Sequence, residues 1–379
     1  MTPQDTLNYF KKRESAMIEA IREIVEIESP SYDVERSKTV VLWIENEARK
    51  IGLDLAIERI PAEDFGEHLI IRAFPGDAKP YLLLGHSDTV HPVGTKEQNS
   101  TRIEGDKFYG RGIFDMKANI VLIFEALRFL AVNDLKPSGP VTILLSCDEE
   151  VGSQTGRPIV EREASISERC FVAEPSAEGR VKTGRKGTGN FALRVHGIPA
   201  HAGLEPEKGV NAITELSRHL DEIHAIQSPK IGTTVNVCTI RGGTATNVIP
   251  ALAECDIDVR FSSMAEGARV DSMLRGIKPV DERTKVELLG GINRPPLERT
   301  DEIVKLFEKA CTLATTFGYD LGETQVGGAS DGNFVAAIGT PVLDGLGLAG
   351  AGAHTLNEYV LISDIAKRAT LLTLLLLSD

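Results

Sequence analysis

The chain has 379 residues, too many for one ordinary hydrophobic core, so two or three compact units are expected. Hydrophobic residues make up 42% of the chain and charged residues 26%, as in ordinary soluble globular proteins. The formal net charge of −13 argues against a general affinity for nucleic acid or for anionic membranes.

The cysteines and the apolar runs bear on the cellular compartment of the protein. The five cysteines are widely scattered and include no Cys-x-x-Cys spacing, so neither a thiolate zinc site nor a redox pair is predicted. The N-terminal segment has an amphipathic helical pattern without a signal-peptide core. The longest apolar run, residues 371–377 interrupted by Thr373, is too short to span a bilayer. These features predict a cytoplasmic protein without a membrane partner.

The first half of the chain alternates helical and strand patterns. An Ile- and Glu-rich helix ends near Ser29, and a second helix is predicted over residues 34–50. The next predicted elements are, in chain order, strands over 69–74 and 81–85, a helix over 118–131, and strands over 141–146 and 170–173. Strands that alternate with helices predict an α/β fold, with a mostly parallel mixed sheet and helices on both faces.

The pattern changes after Arg185. The predicted elements are then a strand over 191–195, a helix over 210–226, strands over 234–240 and 253–261, a helix over 268–277 and a strand over 286–289. This βαββαβ order is typical of a small two-layer α+β domain. Helix-rich α/β patterning resumes at about residue 301. We therefore predict a main α/β domain in two segments, 1–185 and 294–379, with an inserted domain over 186–293.

Three predicted strands run directly into residue types that bind metals. His86 and Asp88 follow the strand at 81–85, Asp148-Glu149-Glu150 follows the strand at 141–146, and Glu174 ends the strand at 170–173. Charged groups at the ends of buried strands are costly unless they are paired or hold an ion. Ligands of open α/β sheets bind at the carboxyl ends of the strands. The pattern predicts a metal centre with hydrolytic chemistry.

The acidic run and two further residues extend this prediction. A divalent cation would relieve the repulsion within residues 148–150, with one carboxylate binding it and another acting as a base, although a solvated acidic loop is the alternative. The spacing does not say which glutamate has which role. Asp115 precedes a predicted helix, where it could equally be a plain N-cap. His354, in a glycine-rich loop, would supply the second imidazole of a two-ion site.

A rival prediction comes from a different class of enzyme. Residues 328–332 (Gly-Ala-Ser-Asp-Gly) match the G-x-S-x-G nucleophile elbow, and Asp344 and His354 follow in the chain order of α/β-hydrolases. This alternative is a serine hydrolase that uses Ser330, Asp344 and His354. It leaves the acidic and imidazole groups of the first half without a function.

The motifs together resemble a known family. They are His86-Ser87-Asp88, Gly110-Arg111-Gly112 with Asp115-Met116-Lys117, Asp148-Glu149-Glu150 and Ala173-Glu174-Pro175. In order and spacing the chain resembles the co-catalytic di-zinc exopeptidases and amidohydrolases of clan MH, which include glutamate carboxypeptidases, acetylornithine deacetylase, succinyl-diaminopimelate desuccinylase and aminoacylase. The resemblance extends from about residue 20 to residue 370 and is strongest to the glutamate carboxypeptidase branch.

The resemblance implies a site for two divalent metal ions, zinc in the first place and cobalt or manganese as alternatives. It implies that Asp115 bridges the two ions, that His86 and Glu174 complete one, and that Glu150 and His354 complete the other. The implied fold is that of zinc exopeptidases, in which the inserted domain is a lid that also dimerises.

The resemblance also implies catalytic and substrate-binding roles. Glu149 would be the general base for a metal-bridging water, Asp88 would orient His86, and His201 would reach the partner's site in a homodimer and stabilise the oxyanion. The implied residues that hold the substrate carboxylate are Asn247, Arg260, Arg294 and Ser330.

The function implied is a metal-dependent hydrolase that acts on a small peptide or N-acyl amino acid. It would cleave an amide bond next to an amino acid with a free carboxylate, as a glutamate carboxypeptidase-like exopeptidase or, alternatively, as an N-acyl amino acid deacylase. A metal-containing binding protein is a third possibility, which a base adjacent to a ligand glutamate disfavours.

Overall fold

The computed structural model describes residues 1–379. Its α-helices are α1 (Pro3–Glu26), α2 (Val34–Arg49), α3 (Thr95–Gln98), α4 (Ala118–Val132), α5 (Arg157–Ile166), α6 (Ala212–Ala225), α7 (Met264–Arg275), α8 (Asp301–Thr315), α9 (Gly332–Ala337) and α10 (Ile362–Leu377). Its strands are β1 (Ala56–Ala62), β2 (Gly66–Ala73), β3 (Tyr81–His86), β4 (Arg102–Glu104), β5 (Lys107–Tyr109), β6 (Val141–Ser146), β7 (Arg169–Val172), β8 (Val181–Arg185), β9 (Gly187–His196), β10 (Thr234–Gly242), β11 (Leu252–Phe261), β12 (Lys285–Arg294), β13 (Glu323–Val326), β14 (Val342–Leu343), β15 (Gly350–Ala351) and β16 (Tyr359–Leu361).

Side-chain caps fix where several helices begin. The Thr2 hydroxyl accepts a hydrogen bond from the Asp5 N–H at 3.2 Å, and the Asp5 carboxylate accepts one from the Thr2 N–H at 2.9 Å. This reciprocal capping box satisfies two backbone donors at the start of α1. Asp33 caps α2 and Thr300 caps α8 by the same kind of contact.

The chain forms two compact units, of which the first comprises residues 1–184, 299–326 and 330–379. Its main sheet has the strand order β1-β2-β6-β3-β7-β14. The β6–β3, β3–β7 and β7–β14 pairs are parallel, whereas β1–β2 and β2–β6 are antiparallel. The predicted mixed α/β sheet is confirmed. Both β3 and β6 are buried along their whole length, as expected for central strands covered on both faces.

Apolar helices pack around this sheet. Helix α4 is buried over most of its length, and its Phe129 ring lies 5.5 Å from the Phe10 ring of α1, measured between centroids. The apolar run in α10 is buried over residues 371–376, as the sequence predicts for the last helix. The chain contains no helix that combines the length and the apolar character needed to cross a membrane.

The second unit comprises residues 185–298 and 327–329. Its elements follow the predicted βαββαβ order, and its four strands form an antiparallel sheet in the order β10-β11-β9-β12. Alternate residues of β11 are buried against the helices, which is the period expected for a sheet covered on one face. The predicted domain boundaries at 185/186 and 293/294 stay a prediction.

A small sheet that the sequence patterns do not predict has the strand order β15-β16-β5-β4. Its strands contain two or three residues each, too few to show a period of two. The β15–β16 hairpin carries His354, and β5 leads into the loop that carries Asp115. Antiparallel pairing of β16 with β5 therefore brings these two loops together.

Candidate metal centre

The order of the parallel strands brings three groups of polar residues to one edge of the sheet. Strand β3 lies between β6 and β7, with His86 opposite Ser146 and Leu84 opposite Val172. Because the carboxyl ends of parallel strands meet at the same edge, His86 comes to lie beside the residues that follow β6 and β7. Those residues include Glu149, Glu150 and Glu174.

The His86 imidazole is fully buried at this edge. Its Nε2 atom lies 3.2 Å from Asp115 Oδ1 and 3.3 Å from Glu174 Oε1. Its Nδ1 atom lies 3.0 Å from the Asp88 carbonyl oxygen, which can only accept a hydrogen bond. When the ring gives up its second proton, the remaining proton stays on Nδ1 and the Nε2 lone pair becomes free for a cation, as in a metal-binding histidine.

A second imidazole faces the other side of Asp115. His354 Nε2 lies 3.1 Å from Glu150 Oε2 and 3.5 Å from Asp115 Oδ2. The two oxygens of Asp115 thus face two different imidazoles, since Oδ1 is the atom next to His86. A carboxylate in this position is able to serve two neighbouring cations, one through each oxygen.

The donor atoms fit divalent cations. The ligand atoms of His86, Glu149 and Glu174 lie within 4.8 Å of one another, and the same holds for His86, Asp115 and Glu150. Glu150 Oε1 is buried and has no hydrogen-bond partner, which is costly for a charged oxygen unless it binds an ion. Imidazole and carboxylate groups suit zinc and similar ions.

The pKa values reflect this crowding of charge. Hydrogen bonds to Asp115 and Glu150 raise the pKa of the His354 imidazole to about 10. Burial lowers the pKa of the His86 imidazole, but hydrogen bonds to three neighbouring carboxylates outweigh burial and hold that pKa well above its usual value. Burial also raises the pKa of the Glu150 carboxyl to about 7, against the effect of the His354 hydrogen bond. Protons and metal ions therefore compete for the same groups.

Asp88 organises the turn that carries both glutamates. Its Oδ1 accepts the Glu149 N–H at 3.2 Å, and its Oδ2 accepts the Glu150 N–H at 3.1 Å. The Ser31 hydroxyl also donates to Oδ2, at 2.7 Å. Asp88 thus supports His86 with its carbonyl oxygen and the acidic turn with its carboxylate. The sequence patterns do not predict the contribution of Ser31, which comes from a segment far away along the chain.

Four of the predicted site residues lie in the second unit. His201 is exposed, and its Nδ1 accepts hydrogen bonds from the Gly203 and Leu204 N–H groups, both at 3.1 Å. Asn247 is its neighbour, since the Asn247 carbonyl accepts the Ala202 N–H at 2.9 Å.

The two predicted arginines of this unit have different surroundings. Arg260 forms an ion pair with Asp258 at 2.8 Å. Arg294, at the end of β12, is buried and lies opposite Thr188 of β9 in the sheet register. The assigned roles of His201, Asn247, Arg260 and Arg294 stay predictions.

The serine-hydrolase triad does not form. The Ser330 hydroxyl is fully buried and donates to Asp344 Oδ2 at 2.7 Å, whereas a nucleophilic serine donates to the histidine that activates it. The His354 Nε2 atom instead lies against Glu150 and Asp115. The alternative with Ser330, Asp344 and His354 as a triad is therefore wrong. The predicted contact of Ser330 with substrate stays a prediction.

Comparison with known proteins identifies the family. Residues 82–378 match the model of Peptidase family M20/M25/M40. The chain belongs to this family. It is 30% identical over 365 residues to carboxypeptidase G2 from Pseudomonas sp. (strain RS-16), with 93% of this chain and 86% of the relative covered. It is 28% identical over 347 residues to the succinyl-diaminopimelate desuccinylase of Methylococcus capsulatus, with 83% of this chain and 89% of that relative covered.

The solved structures agree with the fold. The aminopeptidase PepT from Bacillus cereus superimposes with a TM-score of 0.77 at 21% identity, covering 96% of this chain and 98% of that one. As a member of the M20/M25/M40 family, the protein is a metal-dependent hydrolase of amide bonds. Members of this family generally use two metal ions, and the cluster around His86 is the candidate site.

Proposed function

We propose that this hydrolase is an exopeptidase of the glutamate carboxypeptidase type. It would cleave the amide bond next to a terminal amino acid with a free α-carboxylate, in a small peptide or related conjugate. The observation that carries the proposal is Asp115, which faces the His86 imidazole with one oxygen and the His354 imidazole with the other. The relative named carboxypeptidase G2, with 93% of this chain matched, supports the choice of reaction.

The two imidazoles and three carboxylates would hold two divalent ions, for which zinc is our first choice and cobalt or manganese the alternatives. We assign His86 and Glu174 to one ion, Glu150 and His354 to the other, and Asp115 to both. Two bound divalent ions would lower the pKa of a water molecule and polarise the scissile carbonyl.

Glu149 would be the general base. Its carboxylate belongs to the same cluster as His86 and Glu174, and its backbone N–H is held by Asp88 Oδ1. In the proposed reaction it takes a proton from the attacking water and then passes that proton to the leaving nitrogen. Asp88 positions both His86 and the turn of Glu149, so we assign it an orienting role.

His201 would stabilise the oxyanion from a partner subunit. Because its Nδ1 accepts two backbone hydrogen bonds, the neutral imidazole carries its proton on Nε2. That tautomer presents an exposed Nε2–H donor, which is the group that a developing oxyanion requires. For the substrate carboxylate we propose Asn247, Arg260, Arg294 and Ser330.

A homodimer would form through the edge of the second unit's sheet. Strand β10 is an edge strand, and its Ile240 side chain is 56% exposed. A cleft between this strand and α6 is lined by Leu220, His224, Val237 and Ile240. A long exposed edge with apolar side chains is well suited to pairing with a second copy of the same strand.

A second candidate function is deacylation of an N-acyl amino acid. Several relatives named succinyl-diaminopimelate desuccinylase are 28% to 33% identical to this chain, a range that includes the 30% identity of carboxypeptidase G2. Both reactions cleave an amide next to an amino acid, so the same cluster would serve either. The acyl group that gives the highest kcat/KM distinguishes them.

The test compares substrates with free and with blocked carboxylates. We expect the zinc-loaded protein to cleave N-acyl glutamates and dipeptides, to lose activity with a chelator, and to keep its activity with a fluorophosphonate.

Arg294→Ala should raise KM at least tenfold for substrates with a free carboxylate, because a bidentate guanidinium contact is lost. The control Arg283→Ala removes an exposed arginine of the same unit that pairs with Asp281, and it should leave KM unchanged. Equal activity on amidated substrates would exclude carboxylate recognition.

A further inference from the structure

Glu358 is a fully buried carboxylate with no assigned role. It lies immediately before β16, and four hydrogen-bond donors converge on it. Its Oε1 accepts the Phe114 N–H at 2.8 Å and the Asp115 N–H at 2.9 Å. Its Oε2 accepts the Gly112 N–H at 2.9 Å and lies 2.8 Å from His91 Nε2. Since the ionised carboxylate only accepts, the His91 nitrogen must carry the proton.

These contacts define the backbone of the loop that carries Asp115. Three N–H groups within residues 112–115 point at one carboxylate, an arrangement in which charge-assisted hydrogen bonds are strong. Gly112 has a φ of 61°, a left-handed conformation that glycine adopts at little cost. The Glu358 carbonyl oxygen also accepts the Gly110 N–H at 3.1 Å. Both the side chain and the main chain of Glu358 thus hold this loop.

The same hairpin carries the second imidazole of the cluster. His354 precedes Glu358 by four residues in the connection between β15 and β16. Its Nε2 lies 3.5 Å from Asp115 Oδ2. One short segment therefore supplies an imidazole that faces Asp115 and a carboxylate that fixes the Asp115 main chain. A shift of Glu358 would move both oxygens of Asp115 relative to the two imidazoles.

We propose that Glu358, supported by His91, is a positioning residue that holds Asp115 in the orientation needed to serve two divalent ions at once. The inference rests on the proposed function, because it presupposes the two ions. Groups that orient metal ligands typically change metal affinity or activity by about 10- to 100-fold when they are removed.

Glu358→Gln tests the inference with little change in volume. A glutamine has one acceptor oxygen and one NH2 group. Its NH2 group would therefore face either the donors of Gly112 and His91 or those of Phe114 and Asp115, and two hydrogen bonds would be lost. We expect metal-free Glu358→Gln to bind zinc about tenfold or more weakly, and kcat at limiting zinc to fall with KM within about twofold of the wild-type value. Titration calorimetry of the metal-free protein gives stoichiometry and affinity independently of activity.

Glu163→Gln is the matched control. Glu163 is also a buried carboxylate, but its hydrogen bonds go to Arg72 and Arg162, away from the cluster. The Glu163→Gln protein should lose thermal stability without losing zinc affinity. His91→Ala provides a second variant in case Glu358→Gln does not fold, and it should weaken zinc binding to a smaller extent because three donors to Glu358 remain.

The outcomes separate the inference from the proposed function. Wild-type protein that fails to bind two zinc ions per chain overturns both. Wild-type protein that binds two ions, together with folded Glu358→Gln or His91→Ala of unchanged affinity, overturns the inference alone. A loss of thermal stability in these variants equal to that of Glu163→Gln, with zinc affinity intact, would make Glu358 a structural residue only.

Discussion

Glu149 and Glu150 are neighbours in the chain, yet their surroundings differ. The Glu150 side chain is nearly buried, faces His354, and has one oxygen without a hydrogen-bond partner. Glu149 belongs to the group around His86 and Glu174. On the buried, unpaired oxygen of Glu150 we propose Glu150 as the ligand, and we propose Glu149 as the base.

Glu149→Ala should therefore lower kcat by about 10²- to 10⁴-fold, the usual contribution of a general base. Its zinc content should stay near the wild-type value, measured by elemental analysis after gel filtration. Glu150→Ala is the contrasting variant and should lose one zinc ion per chain. A Glu149→Ala protein with wild-type turnover, or one without zinc, would contradict the assignment.

The raised pKa values of the two histidines predict that metal affinity depends on pH. Hydrogen bonds to carboxylates raise the pKa of His354 to about 10, and the pKa of His86 is also well above its usual value. Both rings therefore carry an extra proton at pH 7 in the metal-free protein. Metal ligands must be deprotonated, so binding releases these protons. Zinc affinity should rise between pH 7 and pH 10 as competition from protons declines.

Calorimetry in buffers of different ionisation enthalpy measures the number of protons released. Wild-type protein should release more protons at pH 7 than His354→Ala, because the variant lacks one of the protonated rings. Equal proton release by the two proteins would show that His354 is already neutral at this pH. An affinity independent of pH would contradict the raised pKa values of both histidines.

The residue types of the site and their convergence could be predicted, from the strand ends and from the family resemblance, but the contacts that hold them in place could not. His86 and Glu174 stand at the ends of apolar strands, where a charged group is conspicuous in the sequence. Ser31 and Glu358 act through contacts with segments 57 and about 250 positions away in the chain, and no local pattern reveals such contacts.

Among the elements, many of those with several turns or alternations were predictable, although β1 (Ala56–Ala62) and α5 (Arg157–Ile166) were missed. The predicted helices over 34–50 and 118–131 correspond to α2 (Val34–Arg49) and α4 (Ala118–Val132). The short strands β5 and β16 were missed because hydrogen bonding across the sheet, rather than side-chain periodicity, defines them. They nevertheless bring the loops of Asp115 and His354 together.

Gly347 lies in close contact with the first turn of α4 and with the residue that follows β7. A Cβ atom there would lie 2.7 Å from the Ala173 carbonyl oxygen and still closer to the Asn119 amide. Asn119 in turn bonds the Phe114 carbonyl and the Leu348 N–H. Gly347→Ala should therefore lower the free energy of unfolding by about 1–3 kcal/mol, the usual cost of overpacking.

Thermal or urea unfolding of the metal-free protein measures this change. Gly76→Ala is the control, because a Cβ there would meet only Pro140 Cγ at an ordinary distance of 3.6 Å. It should leave the stability unchanged within about 0.5 kcal/mol. Stability of Gly347→Ala equal to that of Gly76→Ala would mean that the Asn119 side chain and the Ala173 carbonyl both move aside without cost.

At the scale of the whole molecule, the candidate residues are divided between the two units. The proposed metal ligands and Glu149 lie in the first unit, whereas His201, Asn247, Arg260 and Arg294 lie in the second. The sequence predicts the βαββαβ order of the second unit, whereas in the first unit it misses β1, β4, β5, α5, β15 and β16. The residues of β10 show the pattern of an ordinary strand. Only the order of strands in the sheet shows that one side of β10 has no neighbouring strand, so the sequence pattern alone does not indicate an interface there.

A mixture of two inactive variants tests whether catalysis requires two subunits. His201→Ala retains Glu149, and Glu149→Ala retains His201. If His201 acts across the dimer, each mixed dimer has one complete site and one site that lacks both groups. Random exchange makes half of the dimers mixed, so about a quarter of wild-type activity should return. If His201 acts within its own chain, every site lacks one group and no activity returns. Absence of recovery after subunit exchange has been demonstrated, for instance by mass spectrometry of a tagged mixture, would exclude the partner's His201 from the reaction.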